Sequence, residues 1–295
     1  MTTDTAAPAR LSWPKVAWFG ALWITLFFQV IVVMVKEWAS DESMGHGFFV
    51  PLVAGYLVWQ RRDQLMRIKC RPHWFGCVVV AFGFVCLVTG LLGADFFVMR
   101  MGLLATLYGI LLATVGMPVI RALAFPLLLL LFMIRIPLFI YSQITFPLQI
   151  FASSVAESLL SLIGIPVLRE GNVLELPSQR LSVVEACSGI RSLISLGFLS
   201  LVYGYFFENN RWIRIALFIL TIPIAILANA LRVTLTGILS EIDTKLAEGV
   251  YHSLEGWVIF MVALVSLLAA HRIITLAVRI IARKQQSVAL AAKEQ

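Results

Sequence analysis

The chain has 295 residues, of which 60% are hydrophobic and 13% charged, with a formal net charge of +7. Soluble domains are about half apolar, so this composition argues against a soluble enzyme and predicts that most of the chain lies in lipid. The basic residues stand in short segments between apolar runs, as is typical of membrane proteins. No basic patch is interleaved with exposed aromatic residues, so we expect no nucleic-acid partner.

Apolar runs that could cross a membrane, which takes roughly 20 residues, follow one another along the chain. The first run comes after Arg10 and Lys15 and would also suit a signal peptide, but no clear cleavage site follows it. We therefore interpret it as a retained first helix. Eight spans are predicted, at 16–35, 48–60, 74–93, 97–116, 118–134, 189–207, 213–232 and 253–276.

A ninth apolar stretch, 138–163, is rich in polar residues. These are Ser142, Gln143, Gln149, Ser153, Ser154, Glu157, Ser158 and Ser161. The pattern predicts an amphipathic helix near the interface or packed on the helix bundle. A ninth span is the alternative.

Lysine and arginine concentrate in alternate loops, most densely at 61–71. Cytoplasmic loops carry this excess. We expect the chain to lie in the inner membrane. With eight crossings, both of its termini are expected in the cytoplasm. This gives a cytoplasmic segment 1–15, a membrane domain 16–284 and a cytoplasmic tail 285–295.

Between about 164 and 186 the sequence changes character. Short pieces rich in valine and leucine are separated by turn-forming residues, namely Gly164, Pro166, Gly171 and Pro177. Such a pattern predicts a β-hairpin or a pair of strands. We expect it to cap the extracytoplasmic side of an otherwise all-α integral membrane protein.

The four cysteines, Cys70, Cys77, Cys86 and Cys187, form no CxxC pair and have no metal-ligand spacing with histidine. We expect no disulfide framework, no metal and no organic cofactor. The first three cysteines are interpreted as loop or packing residues.

Cys187 differs from the other cysteines in its surroundings, VVEACSGIRSL. It falls at the predicted outer start of the sixth span, where the positive end of a helix dipole favours a thiolate. Ser188 and the glycine after it permit a tight turn into the helix, and Glu185 precedes it. A buried small hydrophobic role is the alternative.

Arg232 and His252 are predicted at the same outer depth, at the end of the seventh span and the start of the eighth. Asn229 stands three residues before Arg232, and Glu255 three residues after His252, so each pair shares a helix face. A guanidinium can stabilise an oxyanion, and a carboxylate can orient an imidazole. Snorkelling of Arg232 and an interfacial histidine without a role are the alternatives.

Together, cysteine, histidine and arginine supply a nucleophile, an acid or base and an oxyanion stabiliser, the set that acyl transfer through a thioester requires. The inference that they lie at one depth depends on the predicted number of spans.

The chain resembles the exosortase/archaeosortase family of membrane transpeptidases over about residues 45–260. The matching blocks, in family order, are GHGFFVPL (45–52), REGNVLELP (169–177), VVEACSGIRSL (183–193), NALRV (229–233) and YHSLEGW (251–257). The resemblance implies that Cys187 is the nucleophile, Arg232 the stabiliser and His252 the proton-transfer residue.

The resemblance also implies a substrate, namely a secreted protein with a C-terminal sorting tail. Such a tail has a Pro-Glu-Pro-type motif, one transmembrane helix and a basic end, and exosortases typically occur in bacteria that make exopolysaccharide. The acceptor amine is unknown. An acidic motif could meet Arg169, Arg180 or Arg191, and His46 could line a substrate groove or shape the start of a helix.

The alternative function is a small membrane transporter or lipid-handling protein, in which Arg232 and His252 line a polar pathway. The crowding of polar residues at one predicted face, rather than at mid-depth, favours the enzyme.

Overall fold

A computed structural model describes residues 13–183, 190–243 and 249–291. The chain forms two compact units, Met1–Pro137 and Leu138–Gln295. The helices of the first unit are α1 (Trp13–Leu26), α2 (Phe28–Ser40), α3 (Phe49–Gln60), α4 (Arg62–Arg67), α5 (Phe75–Leu92), α6 (Phe96–Thr114), α7 (Met117–Ala122) and α8 (Ala124–Leu129), with 3-10 helices at Glu42–Phe48 and Leu130–Met133. Those of the second unit are α9 (Leu138–Leu162), α10 (Ile190–Phe207), α11 (Arg211–Ile242) and α12 (Gly249–Ala291).

Within the described ranges, five helices are long and apolar enough to cross a membrane: α5, α6, α9, α11 and the Gly256–Ile281 part of α12. The bent pair α1 and α2, which turns by 72°, adds a sixth if it forms one span. The chain is thus a helical, multi-pass protein, but the predicted count of eight is not confirmed. Predicted span 48–60 is a helix of only 12 residues, and 118–134 is divided into short helical pieces.

The hairpin of α5 and α6 is built on glycines that recur every seven residues, at Gly76, Gly83 and Gly90. A methyl group added at Gly83 would lie 2.5 Å from the Thr106 side chain and 2.9 Å from the Gly102 carbonyl oxygen. The two backbones therefore approach more closely than any side chain would allow. Helix pairs in membranes associate through small residues of this kind.

Helix α9 runs unbroken for 25 residues and has the length and hydropathy of a span. Its polar residues Gln149 and Ser153 are buried. The Ser153 hydroxyl lies 2.8 Å from the Gln149 carbonyl oxygen of its own helix and 3.1 Å from the carbonyl oxygen of Gly171. The buried polar residues fit the predicted helix packed on the bundle, and the length and hydropathy of α9 also fit the alternative of a ninth span.

The predicted β-segment is present as an antiparallel three-stranded sheet. Its strands are β1 (Leu168–Glu170), β2 (Val173–Glu175) and β3 (Arg180–Ser182), in the order β1-β2-β3. The positive φ of Gly171, 65°, allows the tight turn between β1 and β2. The sheet has one more strand than the predicted hairpin, because Pro177 and Ser178 turn the chain back once more.

The sheet lies at the end of the second unit where α11 finishes and α12 begins. The backbone N–H of Ser178 donates to the Glu241 carboxylate at 3.0 Å, which ties the β2–β3 turn to the last turn of α11. At the opposite end, the buried His271 of α12 lies 2.8 Å from the Tyr203 hydroxyl and 3.2 Å from the Glu208 carboxylate. These contacts join α12 to α10 and to the loop before α11.

Helix α12 continues to Ala291. The predicted tail 285–295 therefore begins as a continuation of this helix within the described residues.

Candidate functional site

Arg232 is buried in the interior of α11, with 9% of its surface exposed. The sequence placed it at the outer end of a span, but α11 extends ten residues further, to Ile242. Ten residues of α-helix rise about 15 Å. Arg232 thus lies well inside the second unit, and this burial argues against a side chain that snorkels to the interface.

The guanidinium of Arg232 packs against Gly256 of α12. A methyl group added at Gly256 would lie 3.4 Å from Nη2, 3.5 Å from Cζ and 3.7 Å from Nη1 of Arg232. His252 precedes Gly256 by four residues, which is about one helical turn and 6 Å of rise. The fold therefore brings the blocks NALRV and YHSLEGW together, as the sequence predicted, although Arg232 lies one turn deeper than the backbone of His252.

Asn229 is buried one turn before Arg232 on α11, with 5% of its surface exposed. The sequence predicted that the two residues share a face of the helix, and both do lie on its buried side. Asn229 thus places a side-chain amide near Arg232 in the interior of the second unit.

Five further residues of the predicted site lie wholly or partly outside the described part of the chain. Cys187, Glu185 and Ser188 fall in the segment 184–189. The backbone of His252 is in the first turn of α12, but its side chain and that of Glu255 are not described.

The residues that flank segment 184–189 are both packed against the core. Before it, Val183 is buried in one hydrophobic cluster with Val233, the neighbour of Arg232. After it, Leu193 of α10 packs against a cluster that includes Ala228 and Ile259. Val183 therefore packs against α11 at the neighbour of Arg232, and α10 packs on α11 and α12.

The position of Val183 is fixed by a polar network that the sequence did not predict. Asn172 Nδ2 donates to the Gln149 side-chain oxygen and to the Val183 carbonyl oxygen, both at 3.1 Å. The Val183 N–H donates back to the Asn172 carbonyl oxygen at 2.9 Å. The signal for this network in the sequence was Gln149, a polar residue in an apolar stretch.

Two of the arginines predicted to meet an acidic substrate are already paired with carboxylates. Arg169 Nε lies 2.7 Å from Glu157, and Arg180 forms ion pairs with Glu175 and, at 3.6 Å, with Glu170. These pairs are partly or largely exposed, so each contributes little to stability. Arg191 is half-buried in the first turn of α10.

His46 belongs to the first unit, in the 3-10 helix Glu42–Phe48. Its Nε2 lies 3.0 Å from the Phe132 carbonyl oxygen, which can only accept, so Nε2 carries the proton. Burial lowers the pKa of His46, while hydrogen bonds to backbone groups partly oppose this. Next to it, Trp38 donates to the Met133 carbonyl oxygen at 3.2 Å. This contact set supports the interpretation that His46 shapes the start of a helix.

Comparison with known proteins identifies one family. A sequence profile described as transmembrane exosortase (Exosortase_EpsH) matches residues 38–269, well over half of the chain. The search of curated proteins and the search of solved structures found no match.

Proposed function

Because the chain belongs to the transmembrane exosortase family, we propose that it is a cysteine transpeptidase or protease that removes the C-terminal sorting tail of secreted proteins. The observation that carries this proposal is the contact between Arg232 and Gly256, which puts a buried cation one helical turn from His252. Buried charges in membrane helices are costly and usually functional.

In the first step, the Cys187 thiolate attacks the carbonyl carbon of the scissile peptide bond. Arg232 stabilises the negative charge that develops on the carbonyl oxygen, as a pre-organised cation in a water-poor site does effectively. Protonated His252 gives its proton to the leaving nitrogen as the C–N bond breaks. The products are a thioester on Cys187 and the released tail with a new amine terminus.

In the second step, an acceptor amine or water attacks the thioester carbonyl and loses a proton to His252. The bond to sulfur breaks, and the thiolate is restored. The secreted protein leaves as an amide when the acceptor is an amine, or as a carboxylate when it is water. No cofactor takes part in this scheme.

We place the site on the extracytoplasmic side of the inner membrane, with both termini in the cytoplasm. In the second unit, the described end opposite the sheet carries Arg211, Arg214, Arg272 and Arg279, and basic loops favour the cytoplasm. The sheet, the end of α11 and the start of α12 would then face outward, where a secreted substrate and membrane lipid meet.

An acidic sorting motif would have to compete with the carboxylates of this chain for Arg169 and Arg180. Arg191, half-buried in the first turn of α10, is the third candidate for contact with the substrate. A substrate carboxylate that displaced Glu175 from Arg180 would exchange one exposed ion pair for another, at little cost.

The test is tail processing in cells. A secreted reporter with a Pro-Glu-Pro sorting tail is co-expressed with the wild type, with Cys187→Ala and with Cys77→Ala as the matched control. The proposal expects the Cys187→Ala variant to lose cleavage at equal membrane abundance, while Cys77→Ala cleaves normally. Cleavage by Cys187→Ala at the wild-type rate would refute the proposed function and favour the transporter or lipid-handling alternative.

A further inference from the structure

We propose that Gly256 is a positioning residue for Arg232: the guanidinium lies at van der Waals distance from the methyl position of Gly256, so a side chain larger than alanine would displace it. This inference rests on the proposed function, because it assumes that the Arg232 guanidinium acts on the reacting carbonyl.

The group that faces Gly256 is charged, and a methyl group there would be in ordinary van der Waals contact with it. A methyl group at this position would meet three guanidinium atoms of one side chain, all at 3.4–3.7 Å. At Gly237 of α11, by contrast, the nearest atoms are apolar carbons of Leu160 and Leu176. Gly256 thus makes room for a charged group, while Gly237 makes room for the hydrophobic core.

The distances leave room for one methyl group between the α-carbon of Gly256 and the guanidinium, and no more. Arg232 is 9% exposed, so the γ-carbons of a valine at position 256 would compete with its guanidinium for space. The guanidinium would then be pushed away from α12 and from the turn that carries His252.

A displacement of the Arg232 guanidinium would affect catalysis more than substrate binding. A misplacement of about 1 Å in a catalytic group can reduce a rate on the order of 100-fold. Because Arg232 would act on charge that appears only in the transition state, a shift of its guanidinium should lower kcat and leave KM nearly unchanged.

The experiment combines Gly256→Ala, Gly256→Val and Arg232→Lys in the full chain, with kcat and KM measured on the tail reporter in detergent. We expect a graded loss of kcat, small for Gly256→Ala and roughly 100-fold for Gly256→Val, with KM within about twofold. In the Arg232→Lys background, which removes the planar group, Gly256→Val should reduce kcat by a much smaller factor.

Ala263→Val is the matched control, because it adds two methyl groups on the same face of α12, two turns away, in the apolar core. It should reduce kcat by the same factor whether position 232 is arginine or lysine. An equal factor for Gly256→Val in both backgrounds, or wild-type kcat in Gly256→Val, would overturn the inference.

Thermal unfolding gives a readout that does not depend on activity. Gly256→Val should lower the midpoint temperature in the wild type and lower it less in Arg232→Ala, where the space is empty. An equal loss in both backgrounds would also overturn the inference. If Cys187→Ala retains cleavage, the proposed function fails, and this unfolding comparison still decides whether Gly256 positions Arg232.

Discussion

Asn172, in the turn between β1 and β2, donates a side-chain N–H to the side-chain oxygen of Gln149 on α9 at 3.1 Å. This bond links the sheet to a buried position of a membrane helix, since Gln149 is 7% exposed. The same Asn172 nitrogen holds the Val183 carbonyl, four residues before Cys187. Val183 is thus anchored to the interior of the second unit.

Replacing Asn172 with alanine should therefore impair both stability and activity. The change leaves the buried Gln149 oxygen without this donor, which costs about 1–3 kcal/mol, and it frees Val183. Thermal unfolding and reporter cleavage measure the two effects. Ser158→Ala is the control, because the exposed Ser158 hydroxyl bonds only within α9. Equal behaviour of the two variants would contradict the anchoring role.

Replacing Gly83 with leucine should destabilise the first unit. The methyl position at Gly83 is already occupied by Thr106 and the α6 backbone, and overpacking of this kind costs about 1–3 kcal/mol or more. We expect a lower unfolding temperature in detergent and lower membrane abundance. Gly55→Leu on α3 is the control, because nothing lies within 4 Å of its methyl position. An undiminished unfolding temperature in Gly83→Leu would show that the glycine contact is not tight.

Removing Glu37 should be far more harmful than removing Asp41. Glu37 lies 2.7 Å from Arg100, which is 3% exposed, although the Nη2–H is not aligned for a hydrogen bond. A buried charge that loses its partner costs about 3–5 kcal/mol. Arg135, the partner of Asp41 at 3.0 Å, is half exposed, so Asp41→Asn should cost less than about 1 kcal/mol. Similar unfolding temperatures for Glu37→Gln and Asp41→Asn would contradict this ranking.

His46 should make the stability of the protein depend on pH. Its pKa in the folded state is below the ordinary value of 6.5 because burial disfavours the charged ring. The unfolded chain therefore binds the proton more readily, so stability is full above pH 6.5 and falls as the pH drops below it. His46→Gln can still donate to Phe132 and does not titrate. Its unfolding temperature should thus fall less than that of the wild type between pH 7.5 and pH 5.5, and parallel curves would refute the assignment.

The sheet and the neighbouring positions of α11 and α12 could be predicted from the sequence. Turn formers such as Gly171 and Pro177 mark the strand ends. The order of the helices brings the end of α11 to the start of α12.

The length of α11 could not be predicted, because its polar residues are satisfied inside the helix. Thr234 and Thr236 donate to carbonyl oxygens one turn earlier in α11, as hydroxyls in membrane helices can. A hydropathy profile therefore ends the span at Arg232, whereas the helix continues to Ile242.

The contact between Arg232 and Gly256 could not be predicted from the sequence either. The spacing of His252 and Gly256 is visible in the sequence, but the depth of Arg232 relative to α12 depends on how the two helices pack. Only the folded chain shows which residue of α12 faces the guanidinium.

Capture of the acyl group on Cys187 would show directly whether cleavage passes through a thioester. Purified protein is incubated with the tail reporter and hydroxylamine, which attacks thioesters, and the new C-terminus of the reporter is identified by mass spectrometry. If a thioester forms, the wild type should give a hydroxamate at the new C-terminus, and Cys187→Ala should give no cleavage. Cleavage by Cys187→Ala at the wild-type rate, with or without hydroxylamine, would contradict the thioester mechanism.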